Sequence, residues 1–361
     1  MDLSELNYNL PEHLIAQSPL EPRDSSRLLV LNRAVHTMNH FIFRDIVDFL
    51  RPSDLLIANE SRVIPARLYG IKKDSGGKVE ILLLHKVGDK RWKILTGGAR
   101  TRIGTIIQLT SLETAPSRIG DSLSPLLCEI IEHGEKGERV AEFTEPVEKY
   151  YHQLGTMPLP PYIHQPLTDQ ERYQTVYAKT PGSAAAPTAG LHFTPDLMIR
   201  LRRMNVELGF VTLHIGLDTF RPITETIVED HLIHQEWCSL SAQVAEQINR
   251  TKLAGGRVIA VGTTSVRVLE TAARSGLLQS PDTLCPWRSV APFEGQTNLY
   301  ITPGFQFRVV DALITNFHLP HSSLLALVMA FAGKDFIQQA YTEAISVGYR
   351  FFSFGDAMLI L

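Results

Sequence analysis

Apolar runs alternate with segments of helical spacing through the second half of the chain. Arg257–Val261 contains a continuous apolar run, Val258–Val261, typical of a buried parallel strand, and Thr264–Ser275 follows it with helical spacing. Leu55–Asn59, near the start, has the same strand pattern. Strands that alternate with helices in this way are typical of a layered α/β domain, so we predict a large α/β domain with a mostly parallel sheet.

The pattern changes between about Tyr69 and Pro146, where short alternating strands are separated by Gly, Asp and Ser turns. Five such strands are predicted: Lys78–Leu84, Arg91–Leu95, Thr105–Leu109, Leu127–Ile131 and Val140–Phe143. Short, evenly spaced strands indicate a small antiparallel barrel. We therefore expect an α/β domain formed by residues 1–68 and 151–361, with a β-barrel domain, 69–150, inserted into it.

A long loop of small residues, within Tyr173–Thr194, precedes a helix start at Thr194-Pro195. Small residues let a backbone bend sharply and approach a ligand, and a helix N-terminus offers free N–H groups. The segment contains Tyr177, Thr188, Gly190 and His192. Such a loop predicts a binding site, and a plain surface loop is the alternative.

Two further polar stretches follow predicted strands. Gly262-Thr263-Thr264 comes directly after Arg257–Val261, and Asn316 with His318 comes after a strand predicted at Phe307–Thr315. Ligands of open α/β sheets bind at the carboxyl ends of strands, so these side chains are candidates for ligand contacts, and His318 for acid or base chemistry. Simple helix capping by the threonines and a structural histidine explain them as well.

The segment Gly348–Met358 combines aromatic rings with Arg350 and a Gly-Asp turn at Asp356. Aromatic rings such as Phe351 can stack on nucleobases, although a core strand explains them equally well. Arginines that could contact phosphate occur along the chain at Arg62, Arg67, Arg200, Arg202 and Arg203. For Arg200, Arg202 and Arg203, a solvent-exposed helix face is the commoner explanation.

Composition limits the classes of protein. A net charge of −3 over 361 residues excludes a uniformly basic nucleic-acid coat protein but not a local basic patch. Cys128, Cys238 and Cys285 have no metal-site or disulfide spacing, so we expect a reducing, cytoplasmic setting and no metal. No secretory signal is visible, and the longest apolar run, Leu324–Ala332, is too short to span a bilayer.

The polar stretches, taken together, closely resemble the S-adenosylmethionine:tRNA ribosyltransferase-isomerase family of queuosine biosynthesis. The matching blocks, in chain order, are Leu10–Glu12, Ile15–Gln17, Arg23–Leu29, Arg62–Leu68, Tyr173–Thr194, His214–Gly216, Thr219–Pro222, Gly256–Glu270, Tyr300–Gly304, Thr315–Leu324 and Tyr349–Leu359. Asp218 stands where the family usually has Gly. Because the blocks cover nearly the whole chain in the family's order, the resemblance is specific.

The resemblance implies a reaction. The ribosyl part of S-adenosylmethionine is transferred to 7-aminomethyl-7-deazaguanine at the tRNA wobble position and isomerised to an epoxycyclopentanediol, with release of adenine and methionine. It also implies no cofactor, a monomer, and an α/β domain carrying a β-barrel.

Residue roles follow from the implied chemistry. A base must remove a proton beside the sulfonium, for which His192 is the first choice and His318 the second, and His318 or Asp356 would protonate the departing adenine. Thr188, Thr264 and Asn316 would hold ribose hydroxyls or the methionine carboxylate, and Gly190, Gly262 and Thr263 would border the substrate.

The tRNA would be held by other side chains. Arg350 and Arg200–Arg203, with Arg62 and Arg67, would meet its phosphates, and Phe351 or Tyr177 would stack on the flipped base. The rival hypotheses are an S-adenosylmethionine-dependent RNA methyltransferase and a non-catalytic tRNA-binding protein. The first would show a Gly-rich turn after its first strand, and Leu31-Asn32-Arg33 lacks one.

Overall fold

The protein is described by a computed structural model that covers residues 1–98, 100–111, 125–134, 137–216, 222–279 and 288–361. Asp218, Arg221 and Cys285 lie outside the described residues, as does most of the Thr219–Pro222 block. The described chain forms two compact units: residues 1–62, 160–180 and 186–361 make the larger one, and residues 63–159 and 181–185 the smaller one.

The strands, in chain order, are β1 (Arg27–Asn32), β2 (Thr37–Ile42), β3 (Leu55–Asn59), β4 (Ser61–Val63), β5 (Arg67–Lys72), β6 (Lys78–Lys86), β7 (Arg91–Gly98), β8 (Ile106–Thr110), β9 (Leu127–His133), β10 (Glu138–Phe143), β11 (Thr180–Ser183), β12 (Glu207–Leu213), β13 (Glu236–Leu240), β14 (Val258–Val261), β15 (Phe293–Thr297), β16 (Ala312–Asn316) and β17 (Ala357–Ile360). The α-helices are α1 (Tyr151–Leu154), α2 (Pro195–Arg203), α3 (Ala242–Leu253), α4 (Thr263–Gln279), α5 (Ser323–Ala332) and α6 (Lys334–Ser346). Short 3₁₀ helices lie at Leu3–Leu6, Glu12–Leu14, Arg23–Ser25, Phe43–Phe49, Val147–Tyr150, Gln170–Tyr173, Thr188–His192 and Val228–Asp230.

The larger unit is built on a nine-stranded sheet in the order β15-β13-β12-β3-β14-β16-β17-β1-β2. Strands β12, β3, β14 and β16 run parallel at its centre, and β17 pairs parallel with β1. The other four described pairs are antiparallel. The α/β class is confirmed, and the sheet is mixed where we predicted mostly parallel pairs. Hairpin partners such as β2 and β13 cause the difference, because they lack the apolar runs by which buried strands are predicted.

The apolar sequence runs form the core of this sheet. All five residues of β3 and all four of β14 are buried, as the continuous runs predicted. Leu56, Ile259 and Ile314 belong to a core cluster shared with helix α2. Helix α2 begins after Thr194, whose hydroxyl accepts the N–H of Leu197, so the predicted cap is confirmed.

The smaller unit is a closed antiparallel barrel of β10-β7-β6-β5-β8-β9, which confirms the predicted barrel. Its inward side chains, among them Ile81, Ile94 and Ile130, alternate with outward ones along each strand. We predicted residues 69–150 for this insertion, and the first barrel strand already begins at Arg67, which pairs with Leu82. Among the described residues, no helix is long and apolar enough to cross a membrane.

Candidate active-site cleft

A cleft with about 550 Å³ of empty space, open solvent included, lies at the carboxyl ends of the central parallel strands of the larger unit. Gly262, Thr263 and Thr264 reach it from the end of β14, and Asn316 and His318 from the end of β16. Thr188 adds a hydroxyl from the loop of small residues. Its remaining lining is Tyr162, Ala186, Pro187, Ala189, Ile215, Thr315, Phe317, Leu319, Leu324, Phe352 and Ser353. The structure therefore brings six of the sequence-predicted site residues together at one sheet edge.

His192 lies one layer behind this cleft with both ring nitrogens engaged. It is 4 % exposed and stacks on Phe43, with ring centroids 4.9 Å apart. Its Nδ1 is 2.7 Å from the Ser26 hydroxyl, and its Nε2 is 3.2 Å from the amide nitrogen of Asn316. Burial, helped by the charges of Arg350 and Arg23, lowers the pKa of His192 to about 3. The ring is thus neutral at physiological pH and is held by protein groups.

Asn316 connects His192 to the cleft. Its amide nitrogen donates to the carbonyl of Phe352 at 3.1 Å, and a carbonyl can only accept, which fixes the amide orientation. The same nitrogen therefore donates to His192 Nε2, leaving the proton of His192 on Nδ1, toward Ser26. The amide oxygen accepts the Thr188 hydroxyl at 3.2 Å. A buried chain from Ser26 to Thr188 thereby sets where the Thr188 oxygen lies in the cleft.

His318 lines the cleft directly. Its Nε2 is 2.7 Å from the Thr315 hydroxyl, and its backbone N–H donates to Tyr341 Oη at 2.9 Å. Burial lowers its pKa to about 3, so the imidazole is neutral at pH 7. Within the described part of the chain its Nδ1 has no hydrogen-bond partner. His318 therefore has one ring nitrogen left to serve a ligand.

Asp356 does not line the cleft. Its two carboxylate oxygens accept the backbone N–H groups of Arg27 and Arg350, at 2.9 and 2.8 Å. Burial raises its pKa, and those two hydrogen bonds oppose the rise. The carboxylate joins two chain segments. This position is typical of a structural side chain and does not place an acid against a substrate in the cleft.

The predicted stacking rings also lie elsewhere. Phe351 is fully buried among Tyr8, Phe317 and Tyr341, and Tyr177 packs against Phe210 in the core. Gly190 is a packing glycine, because a Cβ there would stand 2.0 Å from the hydroxyl of Tyr177. None of the three lines the cleft.

The ring exposed to the cleft is that of Phe352, one residue further along the chain. It has a left-handed backbone with φ of 70° and packs on Tyr162, with ring centroids 4.8 Å apart. Sequence reasoning missed both rings, and the aromatic pair at 351–352 was the available signal.

The predicted RNA-binding arginines are dispersed. Arg62 pairs with Glu171, and Arg67, in the barrel, pairs with Glu80. Arg200, Arg202 and Arg203 are exposed on the last turns of α2, which leads back to the start of β12 and so lies toward the opposite sheet edge from the cleft. Arg350 donates to the carbonyl of Ser18, and burial lowers its pKa.

His192 lines a smaller cleft with about 290 Å³ of empty space, open solvent included. Arg23 and Arg172, which the sequence analysis did not select, line it together with Ser26 and His192, and Ser353 lines both clefts. Among the described residues, no group of three or more His, Cys, Asp or Glu side chains is arranged to hold a metal ion.

Comparisons with known proteins give one consistent result. Residues 3–360 match the family model described as queuosine biosynthesis protein. The chain is 46 % identical to an S-adenosylmethionine:tRNA ribosyltransferase-isomerase of Desulforamulus reducens and 49 % identical to one of Dehalococcoides mccartyi, each alignment covering 100 % of both chains. A crystal structure of the S-adenosylmethionine tRNA ribosyltransferase of Thermotoga maritima is 38 % identical, with a TM-score of 0.55 over 99 % of this chain and 100 % of that chain.

Proposed function

The chain belongs to the queuosine biosynthesis family of S-adenosylmethionine:tRNA ribosyltransferase-isomerases, and we propose that it catalyses that transfer. The ribosyl part of S-adenosylmethionine moves to 7-aminomethyl-7-deazaguanine at the wobble position of tRNA and becomes an epoxycyclopentanediol. Adenine and methionine leave. The observation that carries the proposal is the convergence of six residues from the family-like blocks on one cleft: Thr188, Gly262, Thr263, Thr264, Asn316 and His318.

The lining of the cleft suits this co-substrate. The hydroxyls of Thr188 and Thr263 match the hydrogen-bonding needs of ribose hydroxyls, and the amide oxygen of Asn316 keeps one lone pair that can accept from them. The rings of Phe352 and Tyr162 offer π faces, which attract a cation such as a sulfonium.

His318 is the better candidate for the base that removes the proton beside the sulfonium. It lines the cleft, is neutral at pH 7 and has a free Nδ1, whereas both nitrogens of His192 are engaged inside the protein. We propose that His192 instead positions Asn316 and, through it, Thr188. The proton removed from C5′ passes to His318 Nδ1, and the C–H electron pair forms a C4′=C5′ double bond as the C4′–O4′ bond breaks. The ring oxygen then becomes a carbonyl on C1′, and adenine leaves with the electron pair of the C1′–N bond and takes up a proton.

The side chains that contact the tRNA are proposed from the positions of positively charged residues. Arg23, Arg172 and Ser353 line the smaller cleft, and Ser353 also lines the larger cleft. Arg23 donates to the carbonyls of Gln174 and Glu171, and Arg172 pairs with Glu21. We propose that the positive charge of these two arginines, with that of Arg350, attracts RNA phosphates close to the reacting base. Arg200, Arg202 and Arg203 would contact only a more distant part of a tRNA. We propose that the enzyme acts as a monomer.

The experiment is a product assay. Purified protein is incubated with S-adenosylmethionine and a tRNA that carries 7-aminomethyl-7-deazaguanine, and adenine, methionine and the wobble nucleoside are quantified by chromatography and mass spectrometry. We expect stoichiometric adenine and methionine and a heavier nucleoside. A tRNA with guanine at the wobble position is the matched substrate control. Methylated RNA, or tight tRNA binding with intact S-adenosylmethionine, would refute the transferase in favour of a methyltransferase or a binding protein.

A further inference from the structure

The first turn of α4 presents a hydroxyl to the cleft that has no partner. Thr264 is 8 % exposed, and its Oγ1 is buried without a hydrogen bond. This oxygen lies 3.7 Å from the point where a Cβ on Gly262 would stand, and Ala189 Cβ lies 3.6 Å from the same point. Because Gly262 and Ala189 both line the cleft, the oxygen is on the cleft side of the helix.

The hydroxyl sits at a helix N-terminus that can bind an anion. Helix α4 has 17 residues, and the N–H of Val266 makes the first bond within it, to the carbonyl of Gly262. The N–H groups of Thr263 and Thr264 precede that bond and have no acceptor inside the helix. Together with the helix dipole, these donors favour a negative charge in front of Thr264.

The charges around this turn indicate which anion fits. No Lys, Arg, Asp or Glu is found among the residues that line the cleft in the described chain. Arg267, one turn further along α4, is already paired with buried Glu236. The groups of the site that can bind an anion are therefore neutral N–H and hydroxyl donors. A nucleic-acid backbone is normally held by free Lys and Arg side chains, whereas a single carboxylate can be held by N–H and hydroxyl groups.

We propose that the N-terminal turn of α4 binds the carboxylate of the methionyl group of S-adenosylmethionine, with Thr264 Oγ1 as a donor. The inference rests on the proposed function and assigns one end of its co-substrate. Strand β14, which leads into α4, pairs with β16, and neighbouring strands are about 5 Å apart. A carboxylate at α4 therefore leaves Asn316 and His318, at the end of β16, within reach of the ribose.

The test measures how a variant changes discrimination between two ligands. Isothermal titration calorimetry compares S-adenosylmethionine with decarboxylated S-adenosylmethionine, which lacks only the carboxylate. We expect the parent protein to bind S-adenosylmethionine about 10–100-fold more tightly, the ratio typical of a hydrogen bond to a charged group. In Thr264→Val this ratio should fall about tenfold, through weaker binding of S-adenosylmethionine alone.

Ser265→Ala is the matched control. The Ser265 hydroxyl is in the same turn and is fully buried, but it donates to the carbonyl of Val261 at 2.8 Å and does not line the cleft. We expect this variant to keep the parental ratio. Both ligands carry the sulfonium cation, and Thr264→Val changes no charge of the protein. A general loss of affinity for cations would weaken both ligands and leave their affinity ratio unchanged.

Three outcomes would overturn the inference. Thr264→Val could leave the ratio unchanged, it could weaken both ligands equally, or it could weaken tRNA binding while the ratio stays parental, which would identify the anion as a phosphate. A parent protein that binds no S-adenosylmethionine and releases no adenine would instead refute the proposed function itself. A parent protein that binds S-adenosylmethionine and turns it over, but shows no discrimination, would refute only the carboxylate assignment.

Discussion

Acidification from pH 7 to pH 5 should destabilise the larger unit through its buried histidines. Burial holds the pKa of His192 and of His318 at about 3, against 6.5 for the free side chain. Between these values the unfolded chain binds protons that the folded chain does not, so stability present at pH 7 is lost as the pH falls through 6.5. Each histidine should cost about 1.9 kcal/mol at pH 5, where its folded form is still almost wholly neutral.

The size of this loss is insensitive to the folded pKa. Any folded value below about 4 gives nearly the same result at pH 5, because only the unfolded state titrates in that window. Salt-bridged carboxylates such as Glu5, whose pKa is lowered, lose most of their contribution to stability only below about pH 5. The window from pH 7 to pH 5 therefore reports mainly on histidines.

The assay is urea unfolding at the two pH values in the parent and in His192→Gln. Trp92 lies in the barrel and Trp237 in the larger unit, and Trp287 lies outside the described residues, so a background with Trp92→Phe and Trp287→Phe leaves Trp237 as the one fluorescent tryptophan. The glutamine amide can still meet Asn316 but does not titrate, so the pH-dependent loss should shrink by about 1.9 kcal/mol. The cost of the substitution itself appears separately at pH 7.

Equal pH-dependent losses in the parent and in His192→Gln would refute this reasoning, since His192 would then not be a buried neutral imidazole. His192→Asn, whose shorter amide can reach Ser26, is the second variant if the first does not fold. His318→Gln tests the other ring in the same way.

Three further predictions follow from single residues. Thr264→Val should raise the free energy of unfolding by about 1 kcal/mol, because it removes a buried hydroxyl without a partner, whereas Ser265→Ala should lower it by about 1 kcal/mol; thermal denaturation of the two variants should show midpoint shifts of opposite sign. His318→Ala should slow adenine release about 10²–10⁴-fold with little change in the dissociation constant of S-adenosylmethionine, and an equal loss of affinity would refute a role in proton transfer. Gly190→Ala should destabilise the protein by about 1–3 kcal/mol or more, because its Cβ would overlap Tyr177 Oη at 2.0 Å; a parental midpoint in thermal denaturation would contradict that packing.

Local patterns in the sequence determined the fold class, the barrel and the sheet edge that carries the cleft. Buried strands such as β3 and β14 need continuous apolar runs, and the polar loops at their carboxyl ends need small residues. Both features can be recognised in the amino-acid sequence. The sequence therefore predicted Gly262, Thr264, Asn316 and His318 as candidate ligand contacts after strands, and the structure shows that all four line one cleft.

Side-chain direction was decided only by the tertiary structure. His192 looked like the first choice for a base, but Ser26 and Asn316, far away in sequence, turn its two nitrogens into the protein. A left-handed backbone at Phe352 brings that ring to the cleft while Phe351 packs into the core. Such choices depend on long-range contacts, and no local propensity or spacing records which of two adjacent side chains will face a ligand.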